Sequence, residues 1–424
     1  MDRTLELSLA DLAALVGCSV ERLRKFRELG LLPEQRELSG PSIVNRLRLI
    51  LALVEAGTDP ELLAEALQGE LLSLDFTKHL MVEPVALTRH LPEQVLPDFA
   101  VSFERIRRLR NAMGLPELQS GRPMRDDDVE LVEIVSEASA LGLGDESLAR
   151  VLRIFGQSMR RTVETMRDLF RGEVEERLLA GGMARSEMLA RTAELRLKLQ
   201  RLGFRTLFLL QRRLLEEAVF DNVVMRLQEI LIEADRTMVQ GPHPSTVVFA
   251  DLAGFTVLTQ EIGDAPAAER AAEFEALAHE VAVAKGGRLI KALGDGVMLL
   301  FGDAPSAAEA AIHLAAGAST LPPARIGLAT GVIVPRDGDV FGRTVNMAAR
   351  ICAKARTNEV LVCEVTRAVI ENAVPGAFTF AALDPVELKG FSAPVELYQT
   401  RALRPIAFGW QTTGDTPAHV SPTM

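Results

Sequence analysis

Two aspartates in the C-terminal half stand where acidic side chains can hold a divalent metal ion. Asp251 follows the apolar run Thr246–Ala250, and Asp295 lies in the segment Gly294-Asp295-Gly296 between two further apolar runs. Each carboxylate is therefore expected at the end of a buried strand or in a turn between two strands. Magnesium and manganese combine carboxylate oxygens with phosphate oxygens. The pair predicts a metal site that acts on a phosphate chain.

The elements that must position these aspartates are predicted by alternating β-branched and Ala-rich runs after Pro244. The order is strand, helix, strand, strand, helix, strand, followed by a further helix. The predicted spans are a strand at 246–250, a helix at 254–284 with a break at 263–266, two strands flanking 294–296, a helix at 306–318, a strand at 325–334 and a helix at 340–353. This order favours a ferredoxin-like α/β sandwich.

The composition limits the class of protein. The chain has 424 residues, which predicts two or three domains, and 48% apolar with 25% charged residues is usual for a soluble globular protein. A formal net charge of −11 does not favour DNA as a partner. The three cysteines have no CxxC spacing, which predicts neither a disulfide framework nor a zinc site and fits the cytoplasm. The charged N-terminus and the short apolar runs predict no secretory signal and no membrane insertion.

The N-terminal half is predicted to be helical, because Leu, Arg and Glu recur at helical spacing up to about residue 240. It contains an internal repeat. Residues 23–34 resemble residues 108–117, and Gly57 and Gly142, which end the next predicted helices, are 85 positions apart. The repeat predicts two related helical modules.

The first module begins with the spacing of a helix-turn-helix. Ser8 is a candidate N-cap, Gly17-Cys18-Ser19 forms the predicted turn, and Val20–Leu29 forms the second helix. This start resembles MerR-type DNA-binding domains. Residues 1–33 carry five basic and five acidic side chains, so a helical packing module is favoured over contact with DNA.

Residues 145–238 are predicted to be almost entirely helical. Apolar residues between Leu214 and Leu231 recur mostly three or four positions apart. The pattern is that of an ordinary core-facing helix. Because the helix leads directly into the aspartate-bearing half, it could also transmit a change to that half.

Four motifs, taken in order, resemble the catalytic domain of class III adenylate and guanylate cyclases. They are Phe249-Ala250-Asp251-Leu252-Ala253-Gly254-Phe255-Thr256, Lys291-Ala292-Leu293-Gly294-Asp295, Asp339-Val340-Phe341-Gly342-Arg343-Thr344-Val345-Asn346-Met347-Ala348-Ala349-Arg350 and Glu387-Leu388-Lys389-Gly390-Phe391. The resemblance covers residues 245 to about 401, over a third of the chain. An ordered set of four motifs is far more specific than any one of them.

The resemblance implies how the two aspartates act. Asp251 and Asp295 match the family's metal ligands, which hold two Mg²⁺ or Mn²⁺ ions. These ions would lower the pKa of the ribose 3′-hydroxyl and bridge the phosphates, so that the 3′-oxygen attacks the α-phosphorus and pyrophosphate leaves. The backbone amides of Leu252, Ala253, Gly254, Phe255 and Thr256 open the first helix, where N–H groups favour a triphosphate.

The resemblance also assigns five residues outside the metal site. Lys291 and Asp339 match the base-reading pair, whose donor and acceptor suit adenine and therefore favour ATP over GTP. Asn346 and Arg350 match the pair that orients the ribose and meets the charge growing on the phosphates, and their spacing of four places them on one helix face. Lys389 matches a lysine that contacts the triphosphate.

Each of these residues also has a purely structural interpretation. Asp251 could cap a helix, Asp295 could belong only to a hairpin turn, and Asp339 could be a turn residue after Gly338. The two lysines could be solvated surface charges, and the asparagine and arginine could form a solvated helix face. All seven having only structural roles is much less probable than any one of them having it.

The resemblance further implies that each site forms between two subunits of a homodimer. The aspartates would come from one chain, and the other five residues from its partner. The helical half resembles the regulatory region of two-domain actinobacterial adenylate cyclases, most clearly from Gly142 to Val219. The predicted division is a helical module at 1–70, a second module with regulatory helices at 71–219, a connecting helix and linker at 220–244, a catalytic domain at 245–401 and a tail at 402–424.

Two alternatives to an adenylate cyclase remain at the level of sequence. A guanylate cyclase would use the same fold, although Lys291 and Asp339 argue against GTP. A DNA-binding regulator could use the cyclase fold as a nucleotide sensor, with the helix-turn-helix start as its DNA contact. The two are separated from the leading prediction by comparing turnover of ATP and GTP, and by salt-dependent binding to duplex DNA.

Overall fold

The computed structural model describes residues 8–32, 41–79, 90–233, 244–317 and 321–403. The chain divides into two compact units, residues 1–230 and 231–424. Among the described residues, the first unit contains only helices, and the second contains two sheets with helices. The predicted fold class, a helical region followed by an α/β catalytic domain, is therefore confirmed. Within the described residues no helix is long and apolar enough to cross a membrane.

The first unit begins with eight helices that form two similar sets of four. The first set is α1 (Leu9–Val16), α2 (Val20–Glu28), α3 (Pro41–Glu55) and α4 (Pro60–Gln68), and the second is α5 (Pro92–Asp98), α6 (Phe103–Met113), α7 (Asp126–Ala140) and α8 (Asp145–Phe170). A short 3₁₀ helix, Asp75–His79, follows the first set.

The two sets repeat each other in detail. Helices α3 and α7 each have 15 residues, and their first residues are 85 positions apart, as are those of α4 and α8. Ser19 caps α2 and Ser102 caps α6, each by accepting a hydrogen bond from the amide three residues on, at 3.2 Å. Each set encloses its own apolar core. The structure therefore contains the internal repeat that the sequence predicts.

Helix α8 is followed by a short π-helical segment, a short α-helix and one very long α-helix. A π-helical segment, Arg171–Glu176, leads into α9 (Arg177–Ala180), and α10 follows as Arg185–Glu233. Helix α10 has 49 residues and continues through residue 219, where the sequence analysis divided regulatory helices from a connecting helix. Its last 14 residues, 220–233, fall in the span predicted as a connecting helix and linker.

The second unit is built on a seven-stranded sheet in the order β2-β3-β1-β4-β7-β9-β8. The strands are β1 (Ser245–Leu252), β2 (Arg288–Ala292), β3 (Gly296–Phe301), β4 (Ala324–Gly331), β7 (Val360–Cys363), β8 (Phe378–Ala382) and β9 (Leu397–Ala402), with β5 (Val334–Arg336) and β6 (Asp339–Phe341) forming a separate hairpin. The helices are α11 (Phe255–Ile262), α12 (Asp264–Ala284), α13 (Ala304–Ala316), α14 (Arg343–Cys352) and α15 (Glu364–Ala373).

The two faces of this sheet are covered by different helices. Alternate residues of a strand point to opposite faces, and β1 obeys this rule. Val248 and Ala250 pack in a core with α12, α13 and α15, whereas Val247 packs in a second core with Ala348 and Ile351 of α14. Helix α14, which corresponds to the helix predicted at 340–353, therefore lies on the same sheet face as the odd-numbered residues of β1.

Several predicted boundaries shift by a few residues. The break near Gly263 is present, since that glycine has a φ of 88° and separates α11 from α12. Strand β1 continues two residues beyond its predicted end and so includes Asp251. The predicted strand 325–334 is divided between β4 and β5, and the predicted helix start at Val340 is wrong, because that residue lies in β6. The tail beyond residue 403 lies outside the described residues.

Candidate active site

The two aspartates predicted as metal ligands lie beside each other on neighbouring strands. Asp251 is the second-last residue of β1, and Asp295 ends the turn between β2 and β3. Asp251 is opposite Gly296 in the β1–β3 ladder, and the amide of Leu252 donates to the carbonyl oxygen of Asp295 at 3.1 Å. The close approach depends on Gly296, because a Cβ there would lie 2.9 Å from Oδ1 of Asp251. The pairing of β1 with β3 thus places both carboxylates at the same edge of the sheet.

An arginine that the sequence analysis did not assign lies at the same place. Arg325, on β4, is opposite Asp251 in the β1–β4 ladder. Its Nε and one terminal nitrogen donate to Oδ2 of Asp251 at 2.7 Å and 2.5 Å, and this bonding raises the pKa of Arg325. Burial, followed by the nearby charge of Asp251, raises the pKa of Asp295 above its usual value. Two acids that repel each other and are only partly neutralised favour a cation between them.

The donor set at this position fits a hard divalent cation that shares its coordination with a substrate. It consists of two carboxylates, and the described residues contain no cluster of three or more histidine, cysteine, aspartate or glutamate side chains that could hold a metal. Magnesium is usually bound by one or two carboxylates with phosphate and water oxygens completing the shell. Asp251 and Asp295 are therefore suited to a metal bound together with a phosphate.

The backbone amides that follow Asp251 are only partly available for a triphosphate. The amide of Leu252 is used by the carbonyl of Asp295, and the amide of Ala253 donates to the carbonyl of Pro323 at 2.9 Å. Both amides are therefore occupied by main-chain carbonyls in this structure, and the contacts of Leu252 and Ala253 with a phosphate remain predictions. The amides of Gly254, Phe255 and Thr256 lie at the N-terminus of α11, where they remain the candidates.

The predicted base-reading residues meet each other in a second place. Lys291 lies on β2 next to a register shift in its pairing with β3, and Asp339 opens β6. Nζ of Lys291 donates to Oδ2 of Asp339 at 2.5 Å, while Oδ1 of Asp339 accepts from the amide of Val340 at 2.8 Å. The Lys291 ammonium is also 6.0 Å from the ring centre of Phe341. The pair presents one cationic donor and one anionic acceptor side by side, both partly exposed.

The remaining three predicted residues line one cavity of about 690 Å³. Asn346 and Arg350 project from α14, one turn apart, and Lys389 lies in the loop before β9. The other lining residues are Gly342, Arg343, Gly390, Phe391 and Ser392. Neither Arg350 nor Lys389 forms an ion pair with any residue in the described part of the chain. The cavity therefore presents unneutralised positive charge, which suits a phosphate-bearing ligand.

The structure separates these residues into an aspartate group and a cation group. The cavity that Asn346, Arg350 and Lys389 line has neither Asp251 nor Asp295 in its wall. Sequence reasoning missed Arg325, whose role becomes visible only when β4 is placed beside β1. It also missed Arg343, although the spacing of Arg343, Asn346 and Arg350 places all three on one face of a helix.

Comparison with known proteins identifies the family. Residues 323–402 match the family described as the adenylate and guanylate cyclase catalytic domain. A crystal structure of the adenylyl cyclase CyaB from P. aeruginosa is 26% identical and aligns with 38% of this chain and 95% of its own, with a TM-score of 0.34.

Two relatives extend the similarity into the helical unit. An adenylate cyclase of Streptomyces coelicolor is 33% identical over 279 residues, which cover 65% of this chain and 70% of the relative. A pH-sensitive adenylate cyclase of Mycobacterium tuberculosis is 26% identical over 384 residues, covering 86% of this chain and 90% of the relative. The chain therefore belongs to the class III family of adenylate and guanylate cyclases and, within it, to the adenylate cyclases.

Proposed function

We propose that this enzyme converts ATP into 3′,5′-cyclic AMP and pyrophosphate at sites that are each shared by two chains of a homodimer. The observation that carries the proposal is the division of the site residues within one chain. Asp251 and Asp295 lie together at Arg325, whereas Asn346, Arg350 and Lys389 line a cavity without an aspartate. A second copy of the chain supplies what each half lacks.

The base of the nucleotide is read by Lys291 and Asp339. Adenine presents a ring-nitrogen acceptor next to an amino donor, and the ammonium and carboxylate of this pair offer the complementary donor and acceptor. Guanine presents a carbonyl and an N–H at the same edge, so the lysine donor would face a donor and the aspartate acceptor would face an acceptor. The two side chains already bind each other at 2.5 Å. Adenine must therefore either separate them or bind to both while they stay side by side.

The transferred group is positioned by the residues of the cavity. Asn346 orients the ribose, so that the 3′-oxygen attacks the α-phosphorus opposite the oxygen of the leaving pyrophosphate. The bond from the α-phosphorus to that oxygen breaks, and the proton of the 3′-hydroxyl is lost to solvent. Arg350 donates to the phosphate oxygens on which negative charge grows, and Lys389 holds the polyphosphate. These donors act where the charge develops, which lowers the barrier rather than merely tightening binding.

Asp251 and Asp295 would hold two divalent cations, Mg²⁺ or Mn²⁺. When bound, the metal acidifies the 3′-hydroxyl and neutralises phosphate charge. Arg325 loses its partner when Asp251 ligates a cation, and its guanidinium is then available to the phosphates from the aspartate side. This exchange of partners would keep the acid pair neutralised both before and after the substrate binds.

The apolar surface of α10 supports the homodimer. Ten large apolar side chains between residues 214 and 231 are 47% to 64% exposed in a single chain. They are Leu214, Leu215, Val219, Phe220, Val223, Val224, Met225, Leu227, Ile230 and Leu231. A continuous apolar surface of this extent is expected to be covered by another protein surface. A second copy is the occupant that the divided active site also requires.

The helical unit is proposed to regulate the catalytic unit. Its support is the similarity over 86% of the chain to an enzyme described as pH-sensitive, together with the order along the chain, in which α10 precedes β1, the strand that carries Asp251. The stimulus could be pH or a bound ligand.

The test is an assay of the purified protein with ATP and Mn²⁺, with cyclic AMP measured by chromatography. The full chain and the compact unit 231–424 are assayed in parallel across pH, each after its dimeric state is established. We expect cyclic AMP from at least one of them and a different pH profile for the two. Absence of product from both folded dimers would refute the proposed activity, and identical profiles would refute regulation by pH. GTP assayed alongside decides between the two nucleotides.

A further inference from the structure

Arg343 is a cation of the substrate cavity to which none of the functions above gives a role. It is the first residue of α14 and lies in the cavity wall with Asn346, Arg350 and Lys389. Its guanidinium carbon is 5.0 Å from the ring centre of Phe391, which follows Lys389 by two residues. The stacked pair therefore connects the helix that carries Asn346 and Arg350 to the loop that carries Lys389.

The charges around Arg343 indicate an anionic ligand. The cavity wall contains three cationic side chains, Arg343, Arg350 and Lys389, and no carboxylate. Arg343 forms no ion pair with any described residue. Three cations that face one space without an acid repel each other, and such an arrangement is maintained where a polyanion neutralises it.

The stacking on Phe391 leaves the donors of Arg343 available. A guanidinium that lies over an aromatic ring is held by its face, while its N–H groups point outward in its own plane. Those N–H groups form the planar fork that matches phosphate oxygens. The ring thus fixes the orientation of Arg343 before substrate binds, which lowers the entropy lost when the contact forms.

We propose that Arg343 binds the polyphosphate of the nucleotide directly, together with Lys389, and that Phe391 orients it. The proposal rests on the proposed function, because it assigns a further substrate-binding residue to the same site. It predicts that Arg343 contributes to the binding of ATP and of the pyrophosphate product, both of which carry the phosphates that this cavity receives.

The first experiment compares kinetic constants of the full-length enzyme with those of Arg343→Ala, Arg343→Lys and Phe391→Leu. Loss of one charge-assisted bidentate contact predicts a rise in KM for ATP of about tenfold in Arg343→Ala, with a smaller fall in kcat. The lysine variant should recover part of this loss, and Phe391→Leu should raise KM about threefold because only the orientation is lost. Arg401→Ala, an exposed arginine outside the cavity, is the matched control and should leave KM unchanged. Thermal melting of each variant shows whether it is folded.

The second experiment separates direct contact from an effect through the neighbouring loop. Binding of magnesium pyrophosphate to the full-length protein is measured by calorimetry for Arg343→Ala, Lys389→Ala and the double variant. Direct contact predicts that the two losses add, whereas an Arg343 that only positions Lys389 predicts a double variant no weaker than Lys389→Ala. The latter outcome, or unchanged KM and pyrophosphate affinity in folded Arg343→Ala, would overturn the proposal. Should the wild-type protein make no cyclic AMP, the proposed function fails, yet the calorimetry still decides the role of Arg343.

Discussion

The proposed division of the site between two chains leads to a quantitative prediction for mixed variants. Asp251→Ala removes a metal ligand, and Arg350→Ala removes the donor that faces the growing phosphate charge. Each variant alone should retain less than about 1% of wild-type activity, since the loss of one such donor costs about 10²- to 10³-fold. In a dimer of either variant both sites would be damaged, because under the proposal each site takes one half from each chain.

Mixing the two variants should restore about a quarter of the activity. With random exchange of subunits, about half of the dimers contain one chain of each kind. In such a mixed dimer one site receives both damaged halves, and the other receives the intact aspartates of the Arg350→Ala chain and the intact cavity of the Asp251→Ala chain. About half of the dimers then carry one working site of two.

The assay is cyclic AMP production from equimolar mixtures, with exchange confirmed by isolating mixed dimers through two different affinity tags. The matched control is a mixture of Asp251→Ala and Asp295→Ala, whose damaged residues lie in the same half. No arrangement of those two chains contains an intact site, so activity should stay at the level of the single variants. Equal recovery in both mixtures, or none in the first after confirmed exchange, would refute the shared site.

Three further predictions follow from the geometry of the catalytic unit. Gly327→Ala would place a Cβ 2.1 Å from a main-chain nitrogen of α14. It should therefore lower the free energy of unfolding by about 1 to 3 kcal/mol, measured by denaturant unfolding, and reduce kcat. Gly302→Ala, where a Cβ meets no atom within 4 Å, should change neither quantity. In metal-free protein the raised pKa of Asp295 stabilises the folded state at pH values below the unfolded pKa, near 4, and this stabilisation is lost as pH rises through the folded pKa. Asp295→Asn should therefore raise Tm at pH 7 by up to about 3 °C and lose that advantage at acidic pH. A lowered Tm at pH 7 would contradict the repulsion from Asp251. Lys291→Glu exchanges the donor of the base-reading pair for an acceptor. The kcat/KM for ATP should fall about 100-fold, and the ratio of kcat/KM for GTP to that for ATP should rise. An unchanged ratio would show that Lys291 does not read the base.

Much of the catalytic unit could be predicted because its signals are local. The turn at Gly294-Asp295-Gly296 follows from glycine and aspartate between two apolar runs, and the structure has a turn there between β2 and β3. The helix break at Gly263 follows from a residue that tolerates positive φ. The helical repeat was visible because residues 23–34 resemble residues 108–117, and because Gly57 and Gly142 follow corresponding helices of 15 residues each.

The features that were missed depend on pairing between distant segments. Arg325 is 74 positions from Asp251 and meets it only because β4 is the neighbour of β1 on the side opposite β3. The amides of Leu252 and Ala253 were predicted to contact the phosphates, but here they donate to the carbonyls of Asp295, in the turn before β3, and of Pro323, before β4. A single sequence contains propensity and periodicity, whereas the order of strands in a sheet is set by packing between them.

The separation of charge between the two halves has a consequence for regulation. The aspartate half carries two acids with one arginine, and the cavity half carries three cations without an acid, so metal and substrate together neutralise both. Each half can bind its own part of the ligand whatever the relation between the two chains. Catalysis, in contrast, requires the 3′-oxygen, the metal ligands and Arg350 to be aligned within a fraction of an ångström, and a displacement of about 1 Å can cost roughly 100-fold in rate. Residues 234–244 join α10 to β1, so under the proposed regulation a change in that helix that displaces the strand bearing Asp251 would move one half against the other. A regulatory signal arriving through α10 is therefore expected to alter kcat far more than the affinity for ATP.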